Sequence, residues 1–230
     1  LPRSQRTLVE KVLSLNKPTS IVVAAGSAIN PLAEDADAII HAWYPGQMGG
    51  RALSNILFGK VSPSGKLPVT FYEKSELLPA FEDYSMNNRT YRFLEDNVLY
   101  PFGYGLTYSK VECTSIKYDE STNTATVEVQ NNGNFDTDEV IQLYMKDTQS
   151  KWAVKNHKLC GFKRCHIKKG ETQSIRIQLD EKVFTVVDDL GNRLIDSERF
   201  VLFAGVGQPD EITELLTDTK AVYCEIIRSI

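Results

Sequence analysis

The sequence has 230 residues, 42% of them hydrophobic and 24% charged, with a formal net charge of -4, which is enough material for one or two globular domains with substantial cores. Its basic residues are scattered except for a short cluster at Lys163, Arg164, Lys168 and Lys169, so nucleic acid is not an expected partner, because backbone binding needs a broad basic face. Apolar runs such as residues 21–25 fall far short of the roughly 20 residues that cross a bilayer, and no membrane partner is expected.

The chain opens at Leu1 with no initiator Met or leader and already in a helical pattern, so the expectation is a segment of something longer. Residues 4–15 place Leu8, Val9, Val12, Leu13 and Leu15 at helical spacing behind Ser4, which can cap the first turn. SIVVAAG (20–26) and DADAIIHAW (35–43) follow as short apolar runs of the kind found in strands buried on both faces. After the Pro45-Gly46 turn, Met48, Ala52, Leu53, Ile56 and Leu57 return to helical spacing over 47–58, with Gly59 placed as the C-terminal stop. SGKLPVTFY (64–72) supplies a third strand. Helices alternating with buried strands predict an α/β layer with a mostly parallel sheet.

From about residue 73 to 110 the periodicity disappears, and Pro, Gly and Tyr become frequent. This stretch reads as an extended arm whose aromatics, Phe81, Tyr84, Tyr91, Phe93, Tyr100, Phe102, Tyr104 and Tyr108, pack it against its neighbours. Beyond Lys110 the period changes to two. Val127/Val129, Ile141/Leu143 and Ile175/Ile177/Leu179 alternate with polar residues, with turn signals at 131–133, Lys169-Gly170 and Leu190-Gly191. The pattern predicts an antiparallel sandwich of immunoglobulin-like or fibronectin type III-like size. Cys113, Cys160, Cys165 and Cys224 show no CxxC spacing and read as free, mostly buried thiols, with a Cys113–Cys224 bridge as the alternative. Asn88-Arg89-Thr90 forms a glycosylation sequon.

Five stretches occur in a recognisable order: AWYPGQMGGRALSNILFGKVSPSGKLPVTF, NNRTYRFLEDNVLYPFGYGLTYS, VEVQNNGNFDTDEVIQLYMKD, KLCGFKR and FAGVGQPDE. Together they make the chain resemble the C-terminal part of family-3 glycoside hydrolases of the β-glucosidase and β-xylosidase type. The resemblance implies that 1–72 is the later half of an α/β sandwich domain, 73–110 a linking arm and 111–230 a fibronectin type III-like domain. It further implies a partner, the catalytic barrel of the parent enzyme, and a carbohydrate substrate in the intact protein. In that family the nucleophilic Asp belongs to the barrel, and the acid/base Glu stands shortly before the stretch that Leu1 begins. No catalytic, cofactor-binding or metal residue is therefore carried over, and the chain by itself is expected to be inactive. Some relatives place the barrel after the fibronectin-like domain.

The remaining chemical candidates read as structural. Glu34, Asp35 and Asp37 form an acidic loop between helix and strand, whereas paired catalytic acids need burial to separate their pKa values. Asp136, Asp138 and Glu139 lack the full calcium-loop pattern. His41, His157 and His166 are not at zinc spacings. Ser27 in AAGSAIN is no nucleophile elbow, and Gly103 and Gly105 in FGYGLTY do not join a strand to a helix as a nucleotide fingerprint does. Trp43, Tyr44, Arg89, Tyr91 and Trp152 are the types that hold sugars, but read first as packing residues. The alternative function is a free-standing carbohydrate-binding or protein-interaction module, using exposed aromatics such as Trp152. Half a sandwich sheet leaves strand edges and apolar helix faces open, which predicts self-association through residues 1–72.

Overall fold

The computed structural model describes residues 1–228. Helix α1 (Arg3–Leu13) begins one residue earlier than its pattern suggested, with Pro2 at the cap position and no side-chain cap. Ser4 is thus inside the helix, and the Pro2 carbonyl accepts from the amides of Gln5 and Arg6 instead. Strands β1 (Ser20–Val23) and β2 (Ala38–His41) pair in parallel, Ser20 opposite Ala38 through Val23 opposite His41. Asp37 fixes that register, its carboxylate accepting from the Thr19 amide at 2.7 Å. Helix α2 (Gly49–Leu57) ends as its sequence dictates. Gly59 takes φ +67°, its amide donates to the Ile56 carbonyl and that of Lys60 to the Asn55 carbonyl, a Schellman closure.

Two expectations fail in this half. The strands are not buried on both faces: only Val23 of β1 is fully buried, and Val22 is exposed, because α1 buries no residue and α2 only Gly49, so neither helix seals a face of the pair. Nor is the sheet mostly parallel. Residues 64–72 do not join β1 and β2; strand β3 (Phe71–Tyr72) pairs antiparallel with β4 (Val98–Tyr100). Pro63 and Pro68 lack amide donors. Between them Leu67 bonds the returning arm, its amide donating to Tyr104 O and its carbonyl accepting from the Gly103 amide, both at 2.8 Å. Asn97 seals the return by donating to Lys74 O and accepting from Lys74 N.

The arm carries a 3-10 turn at Ser75–Leu77 and the single-turn helix α3 (Thr90–Phe93). Its packing follows the expectation in part. Tyr91 stacks on Phe102 with centroids 4.1 Å apart, and Tyr100 on Tyr104 at 5.4 Å. Phe81 and Tyr84, by contrast, stand 84% and 83% exposed.

The second half is a two-sheet sandwich. One sheet consists of β5 (Val111–Asp119), β6 (Thr124–Asn131) and β9 (Thr172–Gln178). The other runs in the order β13 (Val222–Ile227), β12 (Arg199–Gly205), β7 (Thr137–Asp147), β8 (Lys158–Ile167). All these pairings are antiparallel. A short hairpin, β10 (Val186–Val187) with β11 (Arg193–Leu194), and helix α4 (Glu211–Thr217) complete it. The period-two residues Val127, Val129, Ile141, Leu143, Ile175, Ile177 and Leu179 all enter the core, joined by Phe184, Phe200 and Leu202. Each such side chain contributes about 1.5–3 kcal/mol by leaving water. The four cysteines are free thiols, with Cys113 buried.

Candidate functional site

Buried polar groups concentrate where the α/β segment and the arm meet the sandwich. Glu139 on β7 is the one charged residue among the fully buried ones of the described chain, 3% exposed. Lys66 reaches it from the β3 side with Nζ 2.8 Å from Oε1, and the same Nζ donates to the Gly105 carbonyl at 2.7 Å. Burial pushes the Glu139 carboxyl up; the opposing pull of Lys66 is smaller. Nearby, Thr137 Oγ1 donates to Ser62 Oγ at 2.7 Å, Ser62 Oγ accepts from the Tyr108 amide, and the Tyr108 hydroxyl donates to Ile56 O.

The outer face of β7 carries a second clasp. Gln142 Nε2 donates to Gly103 O at 2.9 Å and to Val206 O at 3.0 Å, while its Oε1 accepts from the Tyr144 hydroxyl at 2.7 Å. Gly103 has φ +79°, and a Cβ there would lie 2.2 Å from Gln142 Oε1; one on Gly105 would lie 2.1 Å from Gly65 O. These glycines let backbone approach backbone and side chain, which is their role in FGYGL. Tyr91 bridges in the same direction: its ring meets Tyr144 edge-on and its hydroxyl accepts from the Leu159 amide. Asn156 Nδ2 donates to the carbonyls of Tyr91 and Leu94, fixing α3 to the sandwich.

The other sequence candidates do not converge. Glu34, Asp35 and Asp37 are exposed. Asp136 accepts from the Lys169 amide, Asp138 pairs with Arg164 and His166, and Glu139 turns inward to Lys66. No three His, Cys, Asp or Glu side chains form a metal-binding group among the described residues. His41 lies edge-on to Trp43 and Phe71, at 4.4 and 5.0 Å, and burial there lowers its pKa against the pull of the Ser27 backbone. His157 packs edge-on to Phe203, and burial, helped by Lys146, lowers it to about 4. Ser27 is exposed, Tyr44 is 81% exposed, and Arg89 donates to the carbonyls of Pro79 and Ala80. Trp152 is half-buried beneath Lys151, whose Nζ lies 4.5 Å from its ring centroid. Lys66, Gln142 and Asn156 were not singled out from sequence; a lone Gln inside the apolar run IQLYM was the one available signal.

This arrangement holds two modules in register. Among the described residues Glu139 has no second fully buried carboxylate beside it, whereas retaining glycoside hydrolysis uses two carboxyls about 5 Å apart.

Comparison with known proteins is consistent along the whole chain. Residues 1–108 match the glycosyl hydrolase family 3 C-terminal domain, and residues 139–207 the fibronectin type III-like domain. A xylan 1,4-β-xylosidase of Xylanibacter ruminicola is 38% identical over 95% of this chain, and an exo-α-(1→6)-L-arabinopyranosidase of Bifidobacterium longum 33% identical over 96%. The chain spans 26% and 31% of those relatives' lengths. The crystal structure of β-glucosidase from Kluyveromyces marxianus in complex with glucose superposes with a TM-score of 0.86 at 28% identity, over 100% of this chain and 29% of that one. With two successive domain matches in the order its motifs require, the chain belongs to glycoside hydrolase family 3, as its C-terminal region.

Proposed function

We propose that the chain is the non-catalytic C-terminal part of a glycoside hydrolase acting on the O-glycosidic bonds of β-glucosides or β-xylosides, and that it completes and braces the architecture around a catalytic barrel. The observation that carries this reading is the pair of consecutive family matches, shared with relatives named as glycosidases. Within the chain the proposed division is 1–72 as the later half of the α/β sandwich domain, 73–110 as the linking arm and 111–230 as the fibronectin type III-like domain. Open apolar surface supports the bracing role: Leu8, Phe58 and Val61 on the α/β segment and Leu77, Phe81 and Tyr84 on the arm are all more than half exposed, as suits faces covered by further strands, helices and a barrel. The pairing of Glu139 with Lys66 supports catalytic silence. Relatives named for different sugars share this region at similar identity, which supports placing sugar selection outside it.

The test is to assay the chain alone, and the chain joined to the barrel of a relative, on aryl β-xylosides and β-glucosides. The expected result is turnover only in the joined protein. Turnover by the chain alone would sink the non-catalytic reading, and tight binding of neutral oligosaccharides by the chain alone, without turnover on joining, would favour a free-standing module. The isolated chain is further proposed to self-associate through residues 1–72, where β1 and β2 each have one unpaired edge among the described residues. Sedimentation velocity that finds only monomer across a wide concentration range would count against this.

A further inference from the structure

A cleft of about 240 Å³ opens between the 147–158 loop, the β10–β11 hairpin and helix α3. Three cationic side chains enter its lining from separate segments: Arg92 from α3, Lys158 from the start of β8 and Arg193 from β11. Two of them converge on one residue, Lys158 Nζ donating to Thr185 O at 3.3 Å and Arg193 Nη1 to Thr185 Oγ1 at 2.7 Å. None of the three forms an ion pair among the described residues, where every other pairing is made elsewhere. The one carboxylate on the lining, Asp147, has its Oδ1 occupied by the amides of Gln149 and Ser150 and the hydroxyl of Ser197. Burial first, then Arg92 and Arg193, lower the Lys158 pKa against the opposing pulls of Cys160 and Asp147. Three like charges gathered around one carboxylate work against the folded state, and a second anion in the cleft reduces that cost. Trp152 lines the same cleft, and its indole is a large, flat side chain with an apolar body.

We infer that this cleft binds a single anionic sugar residue, its carboxylate or sulfate group held by Lys158, Arg193 and Arg92 and its ring lying by Trp152. Two guanidinium groups suit such oxyanions because their planar forks donate in pairs. The volume, below the roughly 300–1,000 Å³ of drug-sized clefts, fits one residue and not an extended chain. The anion part stands on the cleft alone; the sugar part rests on the glycosidase reading above.

The test is calorimetric titration of the 230-residue chain at low ionic strength with four probes: D-glucuronate, D-glucose 6-sulfate, D-glucose and inorganic sulfate. One or both anionic sugars are expected to bind at least tenfold more tightly than glucose or inorganic sulfate, and whichever is tighter names the anionic group. Arg92→Ala and Arg193→Ala, both at exposed positions, should each weaken that binding about tenfold while leaving the unfolding midpoint in place. Four results would overturn the inference: no binding of either anionic sugar, glucose binding as tightly as both, inorganic sulfate binding as tightly as both, or affinities indifferent to both substitutions. Any of these leaves the glycosidase reading intact, since that is decided by turnover in the barrel-joined protein.

Discussion

Replacing Lys66 by Met removes the only cation paired with Glu139 among the described residues and leaves a carboxylate that is 3% exposed. Breaking a buried pair from one side typically costs about 3–5 kcal/mol. The structure sets an upper limit on the electrostatic part, because the fold can escape by protonating Glu139. That escape costs about 1.4 kcal/mol for each pH unit above the unfolded-state value near 4.3. The ceiling is therefore about 5 kcal/mol at pH 8 and about 1 kcal/mol at pH 5. The sign follows from the direction of the shift. Burial already raises the Glu139 pKa in the folded chain, and both contributions from Lys66 that oppose it vanish in the variant. A carboxyl raised on folding favours the folded state below its unfolded value and loses that contribution as pH rises through the folded one. K66M should thus lose about 3 kcal/mol or more at pH 8 and recover most of it in acid, while K66M/E139M, with no stranded charge, should fall within about 1.5 kcal/mol of the parent at both pH values. Urea unfolding at pH 5 and pH 8, followed by two probes to check coincidence, measures this. A K66M loss that is equal at the two pH values would refute the reasoning, because it would mean that Glu139 is not the group being stranded.

Gly103→Ala places a Cβ against Gln142 Oε1 at a φ of +79° and should cost at least about 1–3 kcal/mol, whereas Gly50→Ala in α2, whose Cβ meets nothing within 4 Å, should stabilise by about 0.5 kcal/mol; paired urea curves decide both. Asn156→Ala strips the carbonyls of Tyr91 and Leu94 of their donors and should lower stability by about 1–3 kcal/mol, with the arm near α3 becoming the first site of limited proteolysis. His157, lowered to about 4 by burial and Lys146, should stay neutral down to about pH 5 in an NMR titration. Since the depressed folded value lies below the unfolded one near 6.5, His157 supports the fold above that pH and withdraws support as pH falls toward 4.

Local periodicity carried the parts of the fold that local periodicity decides. The two helical patterns became α1 and α2, Gly59 stopped α2, and alternation at Val127/Val129 and Ile175/Ile177 marked the sandwich interior. Residues 64–72 misled because an apolar alternation says that a strand exists and not which strand lies beside it. Their partner is the arm, some thirty residues on, which no local signal announces. Ser4 failed as a cap because a helix can start wherever a preceding carbonyl accepts its free amides, here that of Pro2. Lys66 and Gln142 look like surface residues in sequence, and became central because the fold buries one against Glu139 and lays the arm across the other. Arg92, Lys158 and Arg193 are separated by tens of residues and meet only when α3, β8 and the β10–β11 hairpin are in place.

The junction is made of directional bonds, and that choice of interaction bears on its role. Apolar contact alone would let the α/β segment slide on the sandwich, since the hydrophobic effect scales with area and is indifferent to direction. Lys66 instead donates at once to Glu139 on β7 and to Gly105 in the arm, and Ser62 joins Thr137 to Tyr108. A sliding of the α/β segment by one residue would take Lys66 from the buried Glu139, and a sliding of the arm would take the Gly103 carbonyl from Gln142, the first alone a cost of several kcal/mol. The α/β segment, by contrast, leaves Leu8 and Phe58 more than half exposed. Polar bonds thus fix orientation at the internal junction, while apolar surface stays open elsewhere on the α/β segment. A part whose proposed task is to hold a catalytic barrel in place needs that combination, because a displacement of about 1 Å can cost an enzyme a hundredfold in rate.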